Sequence, residues 1–153
     1  MRENERLDEF FTYTRMISRM VTRLRLDAVK EENLKTIHVE CLFYLIYKGP
    51  LSSAQLVRYT LEDKAAISKA LKTLKEKGFV SYKTGYNEKI SLLEKGKMLA
   101  EQIEEKSFQI LKEARDGISD EEAKVFLSVL ERICLNLADK IRIVSEKHNI
   151  KKN

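Results

Sequence analysis

The stretch Asp63-Lys64-Ala65-Ala66-Ile67-Ser68-Lys69-Ala70-Leu71-Lys72-Thr73-Leu74-Lys75-Glu76-Lys77-Gly78-Phe79-Val80-Ser81-Tyr82-Lys83 changes its apolar period within a few residues. Ile67, Ala70, Leu71 and Leu74 recur at helical spacing and form one apolar stripe, while Lys64, Ser68, Lys69 and Lys72 fall on the opposite side. Asp63 is a good N-cap and Gly78 a natural stop. After the glycine the pattern becomes that of a strand, Phe79 to Lys83, which the turn Thr84-Gly85-Tyr86-Asn87 joins to a second strand, Glu88 to Leu92. Phe79, Ile90 and Leu92 are expected to face inward.

Upstream, Ser52 and Gln55 have the spacing of a capping box and open a short helix to about Tyr59. Thr60-Leu61-Glu62 separates it from the lysine-rich helix, so the pair reads as a helix-turn-helix followed by a hairpin. Before Gly49-Pro50, residues 34–48 carry Ile37, Cys41, Leu42, Leu45 and Ile46 in a density suited to the centre of a core. At the N-terminal end Leu7, Phe10, Ile17, Val21, Leu24 and Ala28 fall on an a/d heptad with Thr14 as its polar member. From Glu94 helical spacing returns with Leu99, Ile103, Ile110 and Ala114, with Ser107 interrupting the seam, until Gly117. Ser119 and Glu122 form a second capping box. It opens a last helix through Ala123, Phe126, Leu127, Leu130, Cys134, Leu137, Ile141 and Val144.

The predicted order is four helices, a hairpin and two helices. The fold class is mainly α (α+β), with an N-terminal helical segment 1–33, a winged helix-turn-helix domain 34–93 and C-terminal helices 94–153. With 153 residues, of which 43% are hydrophobic, the chain suits one ordinary domain, and its 5 glycines and 1 proline argue against a β-sandwich or a loop-built active site. No stretch approaches a membrane span and the first residues lack an apolar signal core, so a cytoplasmic protein is expected.

The net charge is +5, from 29 Lys plus Arg against 24 Asp plus Glu. Residues 64–89 hold seven lysines (64, 69, 72, 75, 77, 83 and 89) and two acids, Glu76 and Glu88, and so carry the entire excess. Charge balanced everywhere else is the footprint of a localised polyanion site. A basic outer face on the second helix of a helix-turn-helix fits the DNA major groove, with its lysines neutralising phosphates. At the hairpin tip, Tyr86 with Lys83 and Lys89 has two compatible roles, contact with DNA and a lid on the core.

These segments resemble the MarR family of winged-helix bacterial transcription regulators. The resemblance rests on Gly49-Pro50-Leu51-Ser52, Leu56-Val57, Ala66-Ile67-Ser68-Lys69-Ala70-Leu71, Leu74-Lys75-Glu76-Lys77-Gly78-Phe79-Val80, Leu92-Leu93-Glu94-Lys95-Gly96 and Ile118-Ser119-Asp120-Glu121-Glu122. It implies a two-strand wing and long terminal dimerisation helices, with two lobes reading a palindromic operator. The family's recognition helix matches Lys64, Ala65, Ala66, Ser68 and Lys69 as DNA contacts, with Lys72 beside the backbone. Together with Lys83, Tyr86 and Lys89 these are the candidate DNA-binding residues. Leu7, Phe10, Ile17, Leu130, Leu137, Ile141 and Val144 are the candidate dimer interface, the competing arrangement being that the seams close within one chain.

The chain departs from the family in a shortened wing, a missing Asp-x-Arg element and the absence of arginine from Tyr59 to Ala114. Lysine gives point charge where arginine would read guanine bidentately, so phosphate attraction is expected to outweigh base reading. Leu93 replaces a threonine cap, which predicts a loosely defined start to the next helix. The expected function is a DNA-binding transcriptional regulator, a homodimeric repressor responsive to a small aromatic or amphipathic effector; the alternative is a winged-helix protein-interaction module. Cys41 and Cys134 lie on apolar faces and read as inert buried thiols. No catalytic pair, cofactor motif or metal-ligand spacing is present, so no enzyme activity, cofactor or metal is expected.

Overall fold

The computed structural model describes residues 3–83, 85 and 88–150, with side-chain surroundings for those between 8 and 141. The order is α1 (Glu3–Ala28), a 3-10 turn (Lys30–Glu32), α2 (Thr36–Lys48), β1 (Leu51–Ser52), α3 (Ser53–Thr60), α4 (Lys64–Glu76), β2 (Val80–Ser81), β3 (Lys89–Leu92), α5 (Glu94–Ala114) and α6 (Asp120–Ile150). The chain divides into two compact units, residues 1–113 and 114–153. The mainly helical, winged fold read from the sequence is present.

The wing belongs to a three-stranded sheet, ordered β1-β3-β2, rather than to an isolated pair of strands. Leu51 pairs with Ile90 and Ser52 with Lys89, while Val80 pairs with Leu92 and Ser81 with Ser91, all antiparallel. The sequence reading omits β1. Its two residues are too short for any periodicity, and the partner that makes them a strand lies far along the chain.

Local signals account for the helix starts. Ser52 Oγ accepts the Gln55 N–H at 3.3 Å and Gln55 Oε1 accepts the Ser52 N–H at 2.9 Å, a reciprocal capping box for α3. Asp63 Oδ1 accepts the Ala66 N–H at 2.8 Å and caps α4. Within the second unit, Ser119 and Glu122 cap α6 in the same reciprocal way. The Lys35 N–H at the start of α2 donates to His38 Nδ1 at 2.9 Å.

The core of the first unit joins Cys41, Leu42 and Leu45 of α2 to Leu56 of α3, to Ile67, Ala70, Leu71 and Leu74 of α4, and to Phe79, Val80 and Ile90 of the sheet. The α4 stripe is thus fully inward, Phe79 and Ile90 are buried, and Leu92 packs partly buried against them. Leu99, Ala100 and Ile103 of α5 close the same core. Ser107, the polar interruption in the α5 seam, is buried and accepts Arg25 Nε–H of α1 at 2.9 Å, while its hydroxyl donates to the Ile103 carbonyl at 2.7 Å. The Arg25 guanidinium also lies over the Phe43 ring at 5.0 Å, which ties α1, α2 and α5 together.

Two expectations need correction. The start of α5 is well defined despite Leu93: the Leu93 N–H donates to the Phe79 carbonyl at 2.9 Å, and Gly96 lies so close to Phe79 that a Cβ there would sit 1.9 Å from that carbonyl oxygen. Backbone contact fixes the chain where it enters α5. Cys134 is exposed, whereas Cys41 is buried and its thiol is pushed up to about 12, chiefly by burial and then by Glu40 and Glu62. Periodicity placed Cys134 on an apolar face, but that face of α6 is open in the single chain. Leu137 and Ile141 are more than half exposed beside it, and Leu130 is intermediate. On α1, Ile17 is exposed and Phe10 intermediate. The side chains of Leu7 and Val144, and Tyr86 altogether, lie outside the described residues.

Candidate nucleic-acid interface

Burying one stripe of α4 fixes what its other side presents. Lys64, Ala65, Ser68, Lys69 and Lys72 are exposed and Ala66 is half-buried, so small side chains and a hydroxyl sit between ammonium groups. Such a surface lets a helix backbone approach a groove while the longer lysines reach outward. The Asp63 carboxylate is engaged by the cap, and no other acid lies in the first turn of α4.

The seven lysines of residues 64–89 differ in how they are held. The ammonium groups of Lys64, Lys69 and Lys83 have no partner among the described residues. Lys72 faces Glu76 one turn on at 3.9 Å, an exposed pair that water screens well and a phosphate can displace. Lys75 is different: its Nζ donates to the Tyr82 carbonyl at 3.0 Å and stands 4.3 Å from the Tyr82 ring centroid. It fastens the chain leaving β2 to α4. Lys89 Nζ donates to Gln55 Oε1 at 2.8 Å, which ties β3 to α3.

These partners were not foreseen from the sequence. They are a carbonyl and an amide brought close by tertiary structure, and charge counting registers neither. Lys83 and Lys89 therefore differ in freedom, and Tyr86, between them in sequence, lies outside the described residues. The structure brings Lys64, Ala65, Ala66, Ser68, Lys69 and Lys72 onto one helix, with Lys89 at the turn end of β3, joined to Gln55 of α3.

His38 is buried at the start of α2, and its imidazole is held below its ordinary value of 6.5, first by burial and then by Lys35 and Lys77. Glu40 is half-buried and its carboxyl is raised by burial and by Glu62, against the opposing effect of Arg25. Among the described residues no three His, Cys, Asp or Glu side chains cluster as a metal site would require, and no helix is long and apolar enough to cross a membrane.

A MarR family model matches residues 32–85. No curated protein matches the chain. Among solved structures, a MarR family regulator from Listeria monocytogenes, described as complexed with a 26mer DNA, is 22% identical with a TM-score of 0.78, over 85% of this chain and 89% of that one. A MarR protein from Peptoclostridium difficile gives 21% identity and a TM-score of 0.78, over 86% and 88%. A MarR family protein from Bacillus stearothermophilus gives 20% and 0.73, over 90% and 99%. The fold of this chain is that of these winged-helix structures.

Proposed function

We propose that this chain, MarR-like in fold and matched by the MarR family model over residues 32–85, is a transcriptional regulator. It binds double-stranded DNA as a homodimer on a palindromic operator and acts as a repressor released by a small aromatic or amphipathic effector. The observation that carries the reading is the face of α4. Its apolar stripe is consumed by the core, and Lys64, Lys69 and Lys72 stand exposed in a stretch that holds the whole +5 of the protein. A solved structure of like fold is complexed with DNA, which supports DNA as the partner.

The deciding experiment is a fluorescence titration of pooled genomic DNA fragments at several salt concentrations. Replacing Lys69 and Lys72 by alanine is expected to weaken binding and to reduce the slope of log K against log salt by about one unit per lost phosphate contact. An unchanged slope would remove α4 from the interface. Absence of saturable binding by the wild type at low salt would favour the protein-interaction module instead.

A further inference from the structure

Where α3 meets β3 the surface opens into a cavity of about 460 Å³ lined by Ser52, Ala54, Gln55, Arg58 and Lys89. Strand register builds it. Ser52 of β1 pairs with Lys89 of β3, and Gln55 turns back on Ser52 to close the α3 cap. One oxygen, Gln55 Oε1, thus accepts both the Ser52 N–H at 2.9 Å and Lys89 Nζ at 2.8 Å. The ammonium is held at the cavity wall by a neutral amide, with donors to spare. Arg58 lies three residues beyond Gln55, on the same side of α3, with an exposed side chain.

No acid lines the cavity, and neither Arg58 nor Lys89 has a carboxylate partner among the described residues. Two uncompensated cations facing one opening create a local positive potential, and the guanidinium fork matches two oxygens of one phosphate. Arg58 is also the one arginine between residues 34 and 93. The charge reading of residues 64–89 misses it, because it lies on the helix before that stretch.

We infer that this cavity is a second phosphate subsite, in which a phosphodiester of the DNA backbone lies between Arg58 and Lys89. Gln55 is the positioning residue that sets Lys89 there. The inference rests on the DNA-binding reading and deepens it. A phosphate carried on a polymer is favoured over a free anion because the cavity is open rather than enclosed, and because Lys89 belongs to the same basic hairpin as Lys83.

The test uses the full chain and a fluorescein-labelled random-sequence duplex, titrated at several salt concentrations. Arg58→Ala is expected to weaken binding several-fold and to lower the salt slope by about one unit. Gln55→Glu keeps a residue suited to the capping box, so its melting temperature should hold, yet it sets a carboxylate against Lys89 and should lower affinity and slope to a similar extent. Lys97→Ala on α5 sets the size of a nonspecific charge loss, and both variants must exceed it. Wild-type affinity and slope in Arg58→Ala, with loss in the Lys69→Ala/Lys72→Ala pair, would overturn the subsite and leave the function standing. Failure of the wild type to bind any duplex would overturn both. A parallel thermal-shift titration with inorganic phosphate separates the sources: an Arg58-dependent shift from phosphate, without any loss of DNA binding in Arg58→Ala, would make this a free-anion site and refute the DNA assignment.

Discussion

His38 accepts a backbone N–H through Nδ1, so the neutral ring carries its proton on Nε2, and a second proton would have to displace the helix cap. Burial and the charges of Lys35 and Lys77 oppose that proton in the folded state. Because the folded pKa lies below the unfolded one, the unfolded chain binds more protons at mildly acidic pH. Stability is then complete above the ordinary value of 6.5 and is lost as pH falls through that value toward the folded one. His38→Gln keeps an acceptor at the N3 position and removes the titration. The variant is expected to show a smaller fall in denaturation midpoint than the wild type between about pH 7 and pH 5. Equal pH dependence in the two proteins would exclude His38 as a contributor. The lysines show what residue type alone conveys: charge was legible at every position, but Lys75 beneath the Tyr82 carbonyl and Lys89 against Gln55 depend on partners that come close only on folding.

At the scale of elements, signals contained within four or five residues were legible and those spanning the chain were not. Ser52 with Gln55, Asp63, and Ser119 with Glu122 all form the caps their spacing implies. β1 escaped, since it depends on pairing with β3; the start of α5 at Glu94 was legible, but its dependence on the Phe79 carbonyl was not. Gly96 makes that second dependence measurable. A methyl group there would collide with backbone, which cannot rotate away as a side chain can. Gly96→Ala is expected to destabilise the first unit by about 3 kcal/mol, measured by chemical denaturation, although alanine is the better helix former. A neutral or stabilising result would mean that β2 and α5 separate at little cost. The interruption at Ser107 was also visible in the sequence, but its purpose was not. The hydroxyl serves Arg25, which arrives from α1 across a sequence separation of 82 residues.

For the whole molecule, the sequence distinguished a charge-balanced majority from one basic stretch, and the structure sets that stretch on α4 and the hairpin. It also leaves large apolar side chains in water. Met16, Ile17 and Met20 of α1 and Phe126, Leu127 and Leu137 of α6 are each at least half exposed. Helical spacing placed Ile17, Phe126, Leu127 and Leu137 on such seams and did not include Met16 and Met20, and it could not say whether the seams close within one chain or between two. On the homodimer reading, light scattering should give twice the chain mass. Leu137→Asp with Ile141→Asp should give a monomer whose DNA affinity falls more than tenfold, since two half-sites are no longer held together. A wild type at single-chain mass would refute the dimer. The two thiols supply an independent gauge of the same seam. Cys41 is buried and protonated at neutral pH, so a maleimide dye has one ready target, Cys134, on the α6 face that carries Leu130, Leu137 and Ile141. Its labelling rate in the unmodified protein should slow as concentration rises and recover on dilution, so that the protein carries its own built-in reporter of association.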